Sequence, residues 1–101
     1  MKNNSIIVNT SRGGIVNEGD LYQALSSKVI KAAGMDVFET EPPSNEHLFF
    51  KLDNILLTPH NAALTLECRK RMSLEASENI VYYLTDISKV NNDNLVNKSF
   101  L

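Results

Sequence analysis

Apolar and polar positions occur in blocks along the chain, and these blocks predict short strands separated by helices. The β-branched run at residues 5–9 is typical of a buried strand. A helix is predicted over about residues 18–27, with Asn17 as its cap and one apolar face made by Leu21, Ala24 and Leu25. Residues 29–38, whose centre is small, predict a second strand, and residues 53–57 predict a third.

A longer helical pattern follows the third strand. From about residue 65 to 85, apolar or small side chains recur at four-residue steps, at Cys68, Met72, Ala76, Ile80 and Leu84. We therefore expect Cys68 to be a core or half-core residue rather than a nucleophile. Residues 86–101 are polar at first and predict a loosely ordered tail. His47, in the stretch SNEHLF, is expected to be an exposed loop residue with no special role.

The order of these elements favours an α/β fold of about three parallel strands with flanking helices. In such sheets, ligands bind beyond the carboxyl ends of the strands. Three polar segments follow the predicted strands, at residues 10–14, 36–43 and 58–63. We expect them to lie at one edge of the sheet and to form one candidate site.

These segments hold an arginine, acidic side chains and a histidine, namely Arg12, Asp36, Glu39, Glu41 and His60. Such a set suits the interconversion of a 2-hydroxy acid and a 2-keto acid. Arginine binds a carboxylate with two parallel hydrogen bonds, histidine transfers the hydroxyl proton, and a neighbouring carboxylate stabilises the charged histidine. Taken singly, each residue has a non-functional interpretation. Arg12 would be a surface residue in an ion pair, Glu41 a solvated acid, and His60 a loop histidine whose hydrogen bonds are made within the protein. Their joint placement at strand ends favours the functional interpretation.

Composition narrows the class of protein. The chain has 101 residues, is 43% hydrophobic and carries a net charge of −2, so we expect one soluble domain that binds neither nucleic acid nor a membrane surface. Its single cysteine cannot form an internal disulfide, which favours a reduced, cytoplasmic location, and we expect no metal site. No apolar run is long enough to span a membrane.

Three stretches carry a resemblance to a known family: IIVNTSRGGIVNEGDLYQAL, GMDVFETEPP and NILLTPHNAALTLE. They resemble the C-terminal part of the NAD-binding region of D-isomer-specific 2-hydroxyacid dehydrogenases, a family that includes D-3-phosphoglycerate dehydrogenase and glyoxylate/hydroxypyruvate reductase. The resemblance covers about residues 3–97. It implies that residues 1–101 form the C-terminal portion of a Rossmann-type domain, a partial Rossmann fold that carries the catalytic residues.

The resemblance also assigns roles to individual residues. It implies that Arg12, Glu41 and His60 are catalytic, that NAD is the cofactor and that a small 2-hydroxy or 2-keto acid is the substrate. Asp36 would hold the nicotinamide carboxamide. The rest of the cofactor site would be formed by Thr10, Ser11, Arg12, His60, Asn61, Ala62 and Ala63. The identity of the acid and the choice between NAD and NADP stay open.

Two functions follow from this resemblance. Members of this family are longer than this chain. Their glycine-rich phosphate-binding turn lies in a part of the protein that has no counterpart in this sequence. We therefore expect a C-terminal piece of a dehydrogenase that has little activity alone and that forms a homo-oligomer. The alternative is a non-catalytic, self-associating module, similar to the corepressors of the same family, because a sheet edge without its neighbour favours association.

Overall fold

The computed structural model describes residues 1–96, and the chain divides into two compact units, Met1–Ala62 and Ala63–Leu101. The first unit holds three strands and one α-helix. These are β1 (Ile6–Asn9), α1 (Glu18–Ser26), β2 (Ala32–Met35) and β3 (Ile55–Leu57), with a 3₁₀ helix at Leu48–Lys51. The strands are parallel and lie in the order β1-β2-β3, which confirms the predicted α/β fold.

The two faces of this sheet differ. Val8 lies opposite Gly34, which in turn lies opposite Leu56. On this face the side chains of Ile6, Val8 and Leu56 are 57%, 69% and 69% exposed. The prediction that β1 is a buried strand is therefore wrong for one of its faces, because alternate residues of a strand point to opposite sides of the sheet.

The other face of the sheet contributes to the core. Leu21 and Leu25 of α1 belong to a buried cluster with Ile30, Ala33, Met35, Phe38 and Phe49. Burial of each leucine stabilises the unit by about 1.5–3 kcal/mol. The Asn17 side chain accepts a hydrogen bond from the Asp20 amide at 2.8 Å, which confirms the predicted cap of α1.

Two strands are shorter than their apolar patterns predict. The second spans four residues rather than 29–38, and the third spans three rather than 53–57. Val37 and Phe38 are buried although they lie beyond the end of β2. An apolar run shows that side chains are buried, but it does not separate residues in a strand from residues packed beside one.

The second unit contains α2 (Leu66–Thr85), which begins at its cap Thr65 and has no buried residue. Cys68 is half-buried, as expected, whereas Met72, Ile80 and Leu84 of the same stripe are 55%, 62% and 75% exposed. Two 3₁₀ helices follow, Ile87–Lys89 and Asn92–Asn94. The predicted loose order of residues 86–101 stays a prediction, and its last part, 97–101, lies outside the described residues.

Across residues 1–96, no helix is both long enough and apolar enough to cross a lipid bilayer.

Candidate active site

The carboxyl ends of the three strands lie side by side. The amide of Asp36, just after β2, donates to the Asn9 carbonyl at the end of β1 at 3.0 Å. The amide of Thr58, just after β3, donates to the Met35 carbonyl at 3.0 Å. The three polar segments therefore begin next to one another, as the strand order required.

Asn9 shapes the first of these segments. Its side chain is buried; Oδ1 accepts from the Ser11 amide and Nδ2 donates to the Arg12 carbonyl, each at 3.1 Å. Such a side-chain bond two residues onward is typical of asparagine in turns. It leaves Thr10, Ser11 and Arg12 exposed, and the Arg12 guanidinium donates to the Ser11 carbonyl at 2.7 Å. Sequence reasoning missed Asn9, although an asparagine between a strand and a polar loop was a usable signal.

Gly13 and Gly14 serve two different purposes. A Cβ atom on Gly13 would lie 2.0 Å from the Phe38 carbonyl oxygen, so only glycine allows this approach between the first and second segments. Gly14 has space around it but a φ of +79°, a left-handed conformation that glycine adopts without strain. The close neighbour of Gly13 is therefore the protein's own backbone, at Phe38 and Glu39.

His60 and Glu41 form the central pair of the site. His60 Nδ1 lies 2.7 Å from Glu41 Oε2, and the side chains are 44% and 37% exposed. Glu41 Oε1 accepts a second hydrogen bond, from the Phe38 amide at 3.0 Å. The hydrogen bond from His60, followed by that from the Phe38 amide, holds the pKa of Glu41 below its usual value. The carboxylate is therefore ionised over a wider pH range than in a free chain.

This pairing decides the tautomer of His60. An ionised carboxylate can only accept, so Nδ1 carries the hydrogen that faces Glu41. Nε2 is then the ring atom that can give or take a proton while Nδ1 keeps its bond. This is the arrangement that a positioned general acid–base requires.

The backbone of His60 is held in an unusual conformation by Asp36. His60 has a φ of +53°, in the left-handed region that is uncommon for residues with a side chain. Asp36 is 3% exposed, and its Oδ1 accepts from the Thr58 hydroxyl at 2.5 Å and the Asn61 amide at 2.9 Å. Its Oδ2 accepts from the Ala62 amide at 2.9 Å. Asp36 thus fixes the turn on both sides of His60.

These bonds also act on Asp36 itself. The pKa of Asp36 is lowered from its usual value, and the hydrogen bond from the Thr58 hydroxyl is the largest cause. Burial of the carboxyl acts in the opposite direction and raises the pKa. Three of the roughly four acceptor positions of a carboxylate are occupied. Sequence reasoning assigned Asp36 to the cofactor and missed this anchoring role, because the donors come from residues that lie far along the chain.

The other predicted site residues are placed as follows. The positive charge of Arg12 also lowers the pKa of Glu41, and it is the smallest of the effects that do so. Within residues 1–96, no salt bridge joins Arg12 to Glu41. Asn61 and Ala62 are exposed next to His60, and Ala63 begins the second unit. A cavity of about 370 Å³ adjoins the pair and is lined by Phe38, Glu41, Pro42, Pro43, Pro59 and His60.

His47 differs from its prediction. Its Nε2 lies 3.1 Å from Glu18 Oε2, and the side chains of the two residues are only 18% and 16% exposed. The ring packs edge-on against Phe38, Phe49 and Phe50. The prediction of an exposed loop histidine is wrong, because the glutamate and the aromatic ring of Phe38 come from segments distant in sequence.

Residues 1–62 match the sequence profile of the NAD-binding domain of D-isomer-specific 2-hydroxyacid dehydrogenases. The chain belongs to this family. It is 46% identical over 81 residues to a D-3-phosphoglycerate dehydrogenase of Archaeoglobus fulgidus, a match that covers 80% of this chain and 15% of the relative. It is 46% identical over 82 residues to a hydroxypyruvate reductase of Thermotoga maritima, covering 79% of this chain and 27% of the relative.

Solved structures agree with this membership. A putative D-isomer-specific 2-hydroxyacid dehydrogenase from Polaromonas has a TM-score of 0.76 and 36% identity, with 91% of this chain and 28% of that chain covered. An NADPH-dependent glyoxylate/hydroxypyruvate reductase from Sinorhizobium meliloti has a TM-score of 0.74 and 32% identity, with 83% and 26% covered. The chain therefore has the Rossmann-type fold of these dehydrogenases and spans about a quarter of the length of these two structures.

Proposed function

We propose that this chain carries the acid–base machinery of a nicotinamide-dependent D-2-hydroxyacid dehydrogenase. The observation that carries the proposal is the His60–Glu41 pair, 2.7 Å apart and partly exposed at the carboxyl edge of a parallel sheet. At this edge, sheets of this kind bind their ligands. The left-handed backbone of His60 supports the assignment, since such conformations cluster at functional sites.

Each residue of the set has a chemical role in this proposal. Arg12 is exposed, and its guanidinium donates to the carbonyl of the neighbouring Ser11; in this proposal it binds the substrate carboxylate. His60 gives a proton from Nε2 to the substrate carbonyl oxygen during reduction and takes it back during oxidation. Glu41 keeps the ring oriented through the hydrogen bond to Nδ1. Bound NAD(H) supplies the hydride chemistry, which no side chain can provide.

The residues of this chain fit the reacting end of the cofactor. Thr10, Ser11 and Arg12 are exposed just after β1, and Asn61 and Ala62 are exposed directly after His60. We assign both segments to the nicotinamide. By contrast, the four glycines of the sequence, at positions 13, 14, 19 and 34, do not form the G-x-G-x-x-G turn that receives a pyrophosphate. We therefore infer weak cofactor binding and little turnover by these 101 residues alone.

The relatives indicate the class of substrate. They include reductases of hydroxypyruvate and glyoxylate and dehydrogenases of D-3-phosphoglycerate. All are small acids with an oxygen on the carbon next to the carboxylate. We propose a small 2-keto acid of this kind as the substrate. Hydroxypyruvate and glyoxylate are the first two compounds to be tested.

The direct test is a titration of the purified chain with NADH and, separately, NADPH. Binding is measured by the fluorescence of the reduced nicotinamide. The sequence has no tryptophan, so protein emission interferes little. Hydroxypyruvate or glyoxylate is then added to the same sample. Saturable binding followed by loss of reduced cofactor supports catalysis by the chain itself; binding without loss, or no binding, shows that the pair needs further protein to act.

Where turnover is found, His60→Ala should lower it by about 10²–10⁴-fold, the usual contribution of a positioned acid–base. Glu46→Gln is the matched control, because Glu46 is an exposed acid of the same unit. Unchanged turnover in His60→Ala would remove His60 from the mechanism.

A second candidate function is self-association, and the exposed face of the sheet favours it. Ile6, Val8 and Leu56 present apolar side chains on one face, and β1 lies at an edge of the described sheet. Apolar patches and unpaired strand edges of this kind promote pairing with another chain. Sedimentation velocity over a hundredfold range of concentration tests it, with Val8→Thr and Leu56→Thr as the disrupting variants; a monomer at every concentration would argue against a homo-oligomer.

A further inference from the structure

The carboxylate of Glu18 ties together both ends of the segment 39–47. Glu18 Oε1 accepts from the Glu39 amide at 2.8 Å, and Glu18 Oε2 lies 3.1 Å from His47 Nε2. Glu18 opens α1, so its backbone is fixed by a helix whose leucines are in the core. One half-buried side chain on a rigid element therefore restrains a long loop at two points.

His47 is held from both sides of its ring. Its Nδ1 accepts from the Phe49 amide at 3.3 Å, which caps the 3₁₀ helix that follows. Nδ1 is thus an acceptor, and Nε2 carries the hydrogen that it donates to Glu18. The flanking ring of Phe49 lies 4.9 Å from the imidazole, edge to face. Both ring nitrogens of His47 are used inside the protein.

This restrained loop contains the carboxylate of the active-site pair. Glu41 lies two residues after Glu39, and its Oε1 accepts from the Phe38 amide. The ring of Phe38 in turn packs edge-on against His47 at 5.5 Å. The position of the Glu41 carboxylate therefore depends on backbone that Glu18 and His47 hold.

We infer that Glu18 and His47 are positioning residues that fix the segment 39–47 so that the Glu41 carboxylate meets His60. Neither residue shares a hydrogen bond or an ion pair with His60. Their effect on the histidine runs through the loop, and its consequence for hydride transfer rests on the function proposed above. Their effect on the geometry of Glu41 does not depend on that function.

The test measures the Glu41 carboxyl in the 101-residue chain. Its ¹³C resonance is followed by NMR during an acid titration, and thermal unfolding is recorded for each variant. Glu18→Gln and His47→Asn are compared with the wild type. His47→Asn keeps an acceptor that can cap the 3₁₀ helix, since asparagine is a good cap, but it loses the reach to Glu18.

We expect the pKa of Glu41 to rise toward its ordinary value in both variants, and further in Glu18→Gln. The loosened loop lets the carboxylate move away from His60 and the Phe38 amide, which are the groups that lower its pKa. The direction is diagnostic. Removing the negative charge of Glu18 would by itself lower the pKa of another acid, so a rise cannot be a simple charge effect.

Asp20→Asn is the matched control, because it removes the same charge from the same first turn of α1 and leaves the loop bonds in place. It should leave the pKa of Glu41 unchanged or slightly lower. If Glu18→Gln and His47→Asn lower the melting temperature but leave the pKa of Glu41 where it is, the two residues only stabilise the fold and the inference is wrong. If Glu18→Gln does not fold, His47→Asn decides alone.

The experiment needs no turnover. A rise in the pKa of Glu41 together with unchanged turnover in His60→Ala would contradict the proposed catalysis and support the positioning role. If turnover depends on His60 but the pKa of Glu41 does not rise in the variants, the result supports the proposed catalysis and contradicts the positioning role.

Discussion

The chain has two histidines, and each is paired with a glutamate in a different region of the first unit. His47 Nε2 and Glu18 Oε2 are 3.1 Å apart, and both side chains are less than one fifth exposed. His60 Nδ1 and Glu41 Oε2 are 2.7 Å apart, and both side chains are more than one third exposed. His47 uses its second ring nitrogen to accept a backbone amide. His60 Nε2 has no hydrogen-bond partner within residues 1–96, and the His60 backbone is left-handed.

The contrast shows that a short histidine–carboxylate distance does not identify an acid–base pair. Exposure and the second ring nitrogen separate the two cases: a ring bonded at both nitrogens holds structure, and a ring bonded at one can move a proton. The pairs are also connected, because the loop held by the half-buried pair, Glu18 and His47, carries Glu41 of the exposed pair.

The largest effect is expected from breaking the support that both pairs share. Gly13→Ala places a Cβ 2.0 Å from the Phe38 carbonyl, so the first and second segments must separate. We expect a loss of stability at the upper end of about 1–3 kcal/mol, as for overpacked sites, measured as a lower midpoint of urea unfolding. Gly14→Ala is the control; its φ of +79° carries a cost of about 1–2 kcal/mol without any steric clash. Equal losses in the two variants would mean that the close approach is unimportant.

Loosening only the exposed pair should have a smaller, local effect. Asp36→Ala removes the acceptors of the Thr58 hydroxyl and of the Asn61 and Ala62 amides. We expect those two amides to exchange with solvent roughly tenfold faster, as for the loss of one net hydrogen bond each. The His47 resonances should stay where they are. Asp53→Ala, at an exposed acid before β3, is the comparison variant; equal exchange rates there and in Asp36→Ala would contradict the anchoring role.

The exposed pair should also be visible in the pH dependence of stability. The pKa of Glu41 is lowered in the folded protein, so its contribution to the free energy of unfolding is complete above its ordinary value of 4.5 and is lost as the pH falls through the lowered pKa. The stability difference between wild type and Glu41→Gln should therefore be largest above that value and shrink below it. Urea unfolding at pH values from 7 down to about 3 measures it. A difference that is independent of pH would mean that the pair makes no ionic contribution.

The smallest effect is expected at Glu39. The Glu18 carboxylate accepts from the backbone amide of Glu39 at 2.8 Å, while the Glu39 carboxylate accepts a longer bond from the Glu18 amide, at 3.4 Å. Glu39→Ala should change stability by less than about 0.5 kcal/mol, as is usual at exposed positions. A larger loss would show that the Glu39 side chain, and not its backbone alone, holds the loop.

Much of the local structure could be predicted from the sequence. Asn17 capped the predicted helix, and that helix ended within one residue of the expected position. The strand–helix order required parallel strands, and this placed the segments of Asp36, Glu41 and His60 at one edge. Recognising the family added the pairing of Glu41 with His60, which the structure contains.

Other features were beyond reach because they depend on partners distant in sequence. His47 bonds Glu18, 29 residues earlier, and Asp36 bonds the amide of Ala62, 26 residues later. Neither side chain carries a local signal that separates these bonds from solvation. The exposed face of β1 was also missed, because an unbroken apolar run does not show which side of a strand is covered.

The sequence by itself thus determined the elements, their order and the residue types gathered at the carboxyl edge, since helix caps, strand runs and turn residues act through neighbours in the chain. Only the tertiary structure decided that His47 forms hydrogen bonds through both ring nitrogens, whereas His60 forms one through Nδ1 alone within residues 1–96. That choice depends on burial and on the partner of each ring nitrogen. Both are properties of the folded chain, set where α1 and the loops after the three strands meet.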